Sequence, residues 1–268
     1  MADALSAQPR PRLRGIALPT EHGGWGFLLE PIALGLLVAP SAGGALLGLA
    51  ALGVFLAHHP VTLAARDLRR GKGHARTGWA LGFAAAYGLI AALGLAGALW
   101  LAEGPAWIAL ACAAPLALAK LALDLGGRGR SPAAELSGAL AFGGLAAAIA
   151  LAAGWSLVPA LALWLIMAGR SVPSILYVRA RLRLERGEAA RIRLSGLASF
   201  GAIALAGALA WLGLAPTLAV IALALLMARA LWGLSPHRRR IPARVIGFSE
   251  LGFGALTVAL SALGYFLM

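Results

Sequence analysis

The stretch Gly169-Arg-Ser-Val-Pro-Ser-Ile-Leu-Tyr-Val-Arg-Ala-Arg-Leu-Arg-Leu-Glu-Arg186 joins an apolar run to the densest group of arginines in the chain. Seven of the 23 Lys and Arg residues lie between Arg170 and Arg193. Arg170 lies well inside the apolar run, where a charge at membrane depth is costly and marks a functional or structural centre. The other arginines follow the run, at the place where a membrane-spanning helix would reach water.

The composition of the whole chain indicates a membrane protein. Hydrophobic residues make up 61% of the 268 positions, charged residues make up 12%, and the mean hydropathy is +0.86. A soluble domain is about half apolar and about a quarter charged. We therefore expect an all-α, polytopic bundle of membrane helices that forms one domain.

A membrane-spanning helix needs about 20 apolar residues, and breakers such as Pro40, Gly154 and Pro216 separate the apolar runs. On this basis the sequence predicts nine spans. They are 23–39, 42–58, 79–101, 106–123, 132–153, 155–178, 194–213, 216–234 and 243–267.

The basic residues test this count, because they fall at the N-terminus and in every second connection, while the connections between contain none. The positive-inside rule then places the N-terminus in the cytoplasm and the C-terminus outside. We expect a basic cytoplasmic tail at 1–18 and a single transmembrane domain at 19–268. The net charge of +13 is assigned to this topology rather than to nucleic-acid binding. The single cysteine, Cys112, excludes an intrachain disulfide.

Several ionisable residues lie within the predicted spans, all in the cytoplasmic half. Glu30 and Glu250 lie about 10 Å inside their spans and Arg170 about 12 Å inside, at 1.5 Å per residue. Arg229, Lys120 and Glu135 are shallower. The balanced charges predict a polar cavity that opens to the cytoplasm, and the alternative is a set of structural ion pairs with side chains reaching the interface.

Two histidine-containing motifs lie at the start of the first predicted span and at the end of the second. Glu21 and His22 lie in Leu18-Pro-Thr-Glu-His-Gly-Gly-Trp-Gly-Phe-Leu-Leu-Glu-Pro31, and the adjacent His58 and His59 lead into a basic segment. Adjacent histidines point to different helix faces, and no metal-binding spacing of His or Glu occurs. We therefore expect no metal site, and we interpret Glu21 and His22 as candidate acid–base groups at the membrane surface.

Two basic segments contain arginines four residues apart, which share a helix face. These pairs are Arg66 with Arg70, and Arg179 with Arg183. Arginine binds phosphate in a bidentate manner, so the two segments are predicted to close over an anionic head group. The alternative is charge that sets topology at anionic lipid. The sequence has no phosphate-loop motif, nucleophile elbow or paired-carboxylate cluster.

Three motifs together resemble the YwiC-like family of bacterial membrane proteins. They are Pro19-Thr-Glu-His-Gly-Gly-Trp-Gly, the segment from Ala57-His-His-Pro to Ala-Arg-Asp-x-Arg-Arg-Gly-Lys72, and Arg170-Ser-Val-Pro-Ser-Ile-Leu-Tyr-Val-Arg-Ala-Arg-Leu-Arg. The resemblance covers nearly the whole chain and implies the bacterial cytoplasmic membrane. It brings no established activity with it.

The chain is also distantly similar to the UbiA-type intramembrane prenyltransferases. That resemblance implies nine helices and magnesium-binding, Asp-rich motifs in the loops after helices two and six. Asp67, with Arg76-Thr77, resembles the first motif, but Arg179, Arg181 and Arg183 stand where the second would hold carboxylates. This departure argues against magnesium, whose electrostatic role arginines could take. The sequence identifies no cofactor.

The sequence therefore predicts a UbiA-like bundle that binds an amphipathic anion, an isoprenoid or lipid phosphate, with prenyl transfer as the first reaction to consider. A small-anion transporter and a non-catalytic partner of a respiratory or lipid-synthesis complex are the alternatives. The expected partners are membrane lipids and an anionic isoprenoid or lipid ligand, and no nucleic acid is expected. The candidate catalytic residues are Glu21, His22, Glu30 and Asp67, and the candidate substrate-binding residues are His58, His59, Arg66, Arg70, Arg76, Arg170, Tyr177, Arg179, Arg183 and Glu250.

Overall fold

The computed structural model of the chain describes residues 13–18, 22–71 and 75–268, and at positions 22, 23 and 75 it describes the backbone alone. Ten helices and no strands occur in these ranges, which confirms the all-helical prediction. The helices are α1 (Leu13–Ala17), α2 (His22–Val38), α3 (Ala42–Arg69), α4 (Ala75–Leu101), α5 (Ala106–Leu125), α6 (Pro132–Ala152), α7 (Leu157–Glu185), α8 (Ile192–Trp211), α9 (Thr217–Leu234) and α10 (Ala243–Phe266).

Within the described ranges, eight helices, α3 to α10, are long and apolar enough to cross a membrane. The chain is therefore a multi-pass membrane protein. Helix α2 corresponds to the first predicted span, and it is apolar but has only 17 residues. Length and composition therefore support eight of the nine predicted spans within the described ranges.

Two helices extend well beyond the predicted ends of their spans. Helix α3 continues past His58 to Arg69 with Pro60 inside it, and α7 continues past Val178 to Glu185. Pro60 lacks a backbone N–H, and the hydroxyl of Thr62 donates to the carbonyl of His59 at 2.9 Å nearby. The predicted basic loops are therefore mostly helix ends, and this difference changes which arginines point into the bundle.

Helix α6 lies at the centre of the bundle, where it packs against α2, α3, α5 and α7. Its second half is a continuous buried run of Ala, Leu and Ile from Leu145 to Ala152. The glycines Gly143 and Gly144 let the indole of Trp164 lie against the α6 backbone, and its Nε1 donates to the carbonyl of Leu140 at 2.8 Å. Small residues at such contacts let membrane helices approach closely, because van der Waals packing drives their association.

The basic residues gather at one end of the bundle, which we call the basic end. Arg69 of α3 donates to the carbonyl of Leu125 at the end of α5, at 2.9 Å. Arg179 of α7 forms an ion pair with Glu135 of α6 at 2.8 Å, and a second arginine of α7 donates to a carbonyl of α9. The ends of α3, α5, α7 and α9 therefore lie together with the starts of the helices that follow them.

Candidate functional site

Arg170 is the centre of a buried polar cluster at the contact of α7 with α2 and α10. Its side chain is 2% exposed. Its Nη2 donates to Oε1 of Glu30 at 3.1 Å and to the backbone carbonyl of Glu250 at 2.8 Å. Its Nη1 donates to the hydroxyl of Ser174 and lies 3.5 Å from Oε2 of Glu250. These partners offset the cost of a cation inside the bundle.

Arg229 of α9 completes the cluster. Its Nη1 lies 2.8 Å from Oε1 of Glu250, and its Nη2 donates to the hydroxyl of Ser174 at 3.2 Å. Its guanidinium also lies 4.0 Å from the ring centroid of Tyr177, which is cation–π geometry. We call Glu30, Arg170, Arg229 and Glu250 the charge quartet. Its two acids and two bases are balanced and link α2, α7, α9 and α10.

Two small residues near the quartet, Gly254 and Ser174, leave space for its side chains. Gly254 lies one turn after Glu250 on α10, and a Cβ at this position would collide with the carboxylate of Glu30 and lie 2.9 Å from Nη2 of Arg170. Ser174 lies one turn after Arg170 on α7, so its hydroxyl reaches both arginines of the quartet. Substitution of Gly254 by any larger residue would therefore push the acid away from its partner.

The structure thus brings together four predicted site residues, namely Glu30, Arg170, Tyr177 and Glu250. Arg229, which the sequence placed nearer the interface, joins them. Arg229 was hard to select from the sequence, because it lies near the end of its predicted span. Its partners, Glu250 and Ser174, lie on other helices, so their proximity depends on helix packing.

Arg181 is a buried residue that the sequence did not select. Its side chain is 4% exposed, and its Nε lies 2.8 Å from Oε1 of Glu185. It also donates to the backbone carbonyls of Gly233 and Arg239. Arg181 therefore ties α7 to the end of α9 and to the segment that leads into α10. It could have been found, because Arg170, Ser174, Tyr177 and Arg181 follow one another at helical spacings of four, three and four.

An open groove with a volume of about 510 Å³ lies beside the quartet, between α9 and α10. Ligand sites commonly have volumes of about 300–1,000 Å³. We call it the α9–α10 groove. Arg181, Arg229 and Arg239 line its polar side together with Tyr177.

The other walls of the α9–α10 groove are apolar. They are formed by Leu225, Ala228 and Trp232 of α9 and by Phe253 and Leu256 of α10, with Ile241 from the connecting segment. The guanidinium of Arg229 lies 5.1 Å from the ring centroid of Phe253, and Trp232 is 69% exposed. An anionic head group could contact the arginines of this groove, and a hydrocarbon chain could lie against its apolar walls.

Asp67 lies in a separate cluster at the junction of α3 and α4. Its Oδ1 accepts from Nη2 of Arg76 at 2.6 Å, and its Oδ2 accepts from Nε of Arg76 at 2.9 Å and from the hydroxyl of Thr77 at 3.0 Å. This bidentate ion pair clamps the end of α3 to the start of α4.

The two predicted histidines also contact protein groups. Nε2 of His58 lies 2.9 Å from Oδ2 of Asp124, whose Oδ1 accepts from Nζ of Lys120 at 2.7 Å. Nε2 of His59 lies 3.1 Å from the carbonyl of Gly15 in α1. No group of three or more His, Cys, Asp or Glu residues suited to a metal ion occurs within 13–18, 22–71 and 75–268.

The remaining predicted arginines lie at the surface of the basic end. Arg66 and Arg70 are exposed, and Arg183 is exposed and lies 3.3 Å from Glu188. Arg179 is about a third exposed and forms its pair with Glu135. The position Glu21 lies outside the described residues, as does the side chain of His22.

Comparison with known proteins identifies a family for part of the chain. Residues 18–150, about half of the chain, match the family model described as YwiC-like protein. The match confirms the predicted resemblance over this range, which includes the motifs at Pro19 and Ala57, while the third motif at Arg170 lies beyond it. No curated protein and no solved structure gives a significant match.

Proposed function

We propose that this membrane protein, which matches the YwiC-like family over residues 18–150, binds an amphipathic anion in the α9–α10 groove. The ligand is an isoprenoid or lipid phosphate. The observation that carries the proposal is the meeting of three arginines with a continuous apolar wall in one open groove. By the positive-inside rule the basic end faces the cytoplasm, in a bundle of nine spans with its C-terminus outside.

The arginines are suited to a phosphate because several are held in place before a ligand arrives. Arg229 is fixed by Glu250, Ser174 and the ring of Tyr177, and Arg181 is fixed by Glu185 and two carbonyls. A planar guanidinium can donate two parallel hydrogen bonds to phosphate oxygens. Pre-organised donors lose less conformational entropy on binding, which favours affinity.

The apolar wall explains why the ligand is amphipathic rather than a soluble anion. Leu225 and Leu256 are 42% and 40% exposed, respectively, so a hydrocarbon chain can lie against both. Each buried CH₂ group contributes about 0.8 kcal/mol, so a chain of several carbons adds substantially to the binding free energy.

The proposal covers binding rather than prenyl transfer. The Asp67 carboxylate, which resembles the first prenyltransferase motif, accepts hydrogen bonds from Arg76 and Thr77. Its helix, α3, does not contribute to the α9–α10 groove. The charge quartet supports the site from inside by holding Arg229, and its two acids face arginines rather than the groove opening.

Arg239 gives a direct test, because the residue lines the groove and is exposed at the surface. We expect Arg239→Gln to weaken the binding of farnesyl phosphate about tenfold, since one charge-assisted contact is lost. The affinity would be measured by native mass spectrometry of the full chain purified in detergent.

Arg240→Gln is the matched control, because Arg240 is the next residue, is also exposed and does not line the groove. Its affinity for farnesyl phosphate should stay within about twofold of the wild type. Equal weakening by the two substitutions, or absence of binding to the wild type, would reject the proposed function.

A further inference from the structure

The charges around the α9–α10 groove are not balanced, in contrast to the charge quartet as a whole. Arg181, Arg229 and Arg239 line the groove. Arg238 belongs to the same group of charges, because its Nε lies 4.0 Å from Oε1 of Glu185, the partner of Arg181. The carboxylates that face these four arginines belong to Glu185 and Glu250.

Glu30 and Arg170, the two deeper members of the charge quartet, do not change this imbalance of charge at the groove. Arg170 and Glu30 form their own contact at 3.1 Å and lie deeper in the bundle, with side chains 2% and 10% exposed. They cancel as one positive and one negative charge. Four guanidinium groups against two carboxylates leave two positive charges in excess in the group of charges that includes the groove's three arginines.

Arg239 supplies the part of this excess that a ligand can reach. Arg181 has Glu185 at 2.8 Å, and Arg229 has Glu250 at 2.8 Å. Within the described part of the chain, the side chain of Arg239 forms no ion pair, and its backbone carbonyl accepts from Arg181. The next residue, Arg240, is exposed and outside the groove.

Two excess charges match some phosphate lipids better than others. A phosphate monoester carries about −1.5 to −2 charges near pH 7, whereas a phosphate diester carries a single negative charge. Beside apolar walls, the attraction between the excess positive charge and a second negative charge on the ligand is stronger than in open water, because the effective dielectric constant is lower. A monoester head group would neutralise the excess, and a diester would leave part of it.

We infer that the α9–α10 groove selects a lipid or isoprenoid with a phosphate-monoester head group over phosphodiester lipids, and that Arg239 is the residue that sets this preference. The inference rests on the proposed function, since it concerns the ligand class of the same groove. Ordinary membrane phospholipids are mostly diesters, so this selectivity would keep the groove available for a scarce ligand in a bilayer.

The experiment compares two probes with the same chain. Farnesyl phosphate is the monoester, and methyl farnesyl phosphate is the diester with one charge fewer. Native mass spectrometry of the full chain in detergent would give both affinities. We expect the wild type to bind the monoester at least about tenfold more tightly, which corresponds to about 1.4 kcal/mol.

The variants then test the role of Arg239. Arg239→Gln should reduce the preference to about twofold or less, mainly by weakening the monoester, while Arg240→Gln should keep the wild-type preference. Thermal unfolding of both variants would check that each is folded, and both side chains are exposed.

The outcomes separate the inference from the proposed function. Equal affinity of the wild type for the two probes would overturn the selectivity while leaving anion binding in place. Equal weakening of both probes by Arg239→Gln would overturn the role of Arg239. Binding of neither probe would overturn both the inference and the proposed function.

Discussion

Replacement of Arg170 with leucine is expected to lower the free energy of unfolding by about 3–5 kcal/mol, because it leaves the buried carboxylate of Glu30 without its cation and removes one of the two cations beside Glu250. Glu30 and Glu250 are 10% and 14% exposed, and Arg170 contacts both. Ser174 would also lose one of the two guanidinium groups that donate to its hydroxyl. The measurement is reversible unfolding by sodium dodecyl sulfate, followed by the circular dichroism of the helices.

Arg179→Leu provides the matched control on the same helix. Arg179 and Glu135 form an ion pair at 2.8 Å, but their side chains are 35% and 37% exposed. Water screens such a pair, so its loss should cost at most about 1 kcal/mol. If the two substitutions had equal effects on unfolding, the quartet could not be the buried electrostatic centre of the bundle.

The largest expected effect on binding comes from Ala228→Phe. Ala228 lies in the wall of the α9–α10 groove and its side chain is exposed, so a phenyl ring would fill the space without displacing a packed residue. We expect the affinity for farnesyl phosphate to fall by more than about tenfold, since the chain and the ring compete for one volume. Native mass spectrometry would measure it.

Ala224 lies one turn earlier on α9, is also exposed and does not line the groove. Ala224→Phe therefore adds the same ring to the same helix and should leave the affinity within about twofold of the wild type. A similar loss in both variants would show that bulk on α9, rather than occupation of the groove, weakens binding.

The quartet and the groove share Arg229, which links stability to binding through its partner Glu250. Glu250 contacts Arg229 at the groove and Arg170 inside the bundle. This arrangement holds the guanidinium of Arg229 in position at the edge of the apolar walls, although an isolated arginine would sample many rotamers there. The buried ion pairs therefore act as the support for the ligand-facing arginine.

Much of the fold follows from the hydropathy of the sequence, because long apolar runs between breakers must become helices in a bilayer. The ends of α3 and α7 were harder to predict. Pro60 removes one hydrogen bond, but the helix continues since tertiary contacts on both sides stabilise it. The charges after Val178 do not end α7, because a helix can continue into water.

The candidate site was predicted in part. The depth of Glu30, Arg170 and Glu250 in their runs indicated a shared polar centre, and the structure brings all three into contact. The choice of Arg179 and Arg183 over Arg181 followed from their spacing alone. Which face of α7 meets α9 depends on packing between helices, and a single sequence does not determine that rotation.

Photo-cross-linking tests the central claim most directly, since it reports where the ligand lies. The probe is farnesyl phosphate with a benzophenone at the end of its chain, added to the full protein in detergent and mapped by mass spectrometry of peptides. The proposal predicts cross-links in α9 and α10, in the segments 225–232 and 253–256 that line the groove. Cross-links confined to α3 and α4 around Arg66 and Arg76 would contradict it.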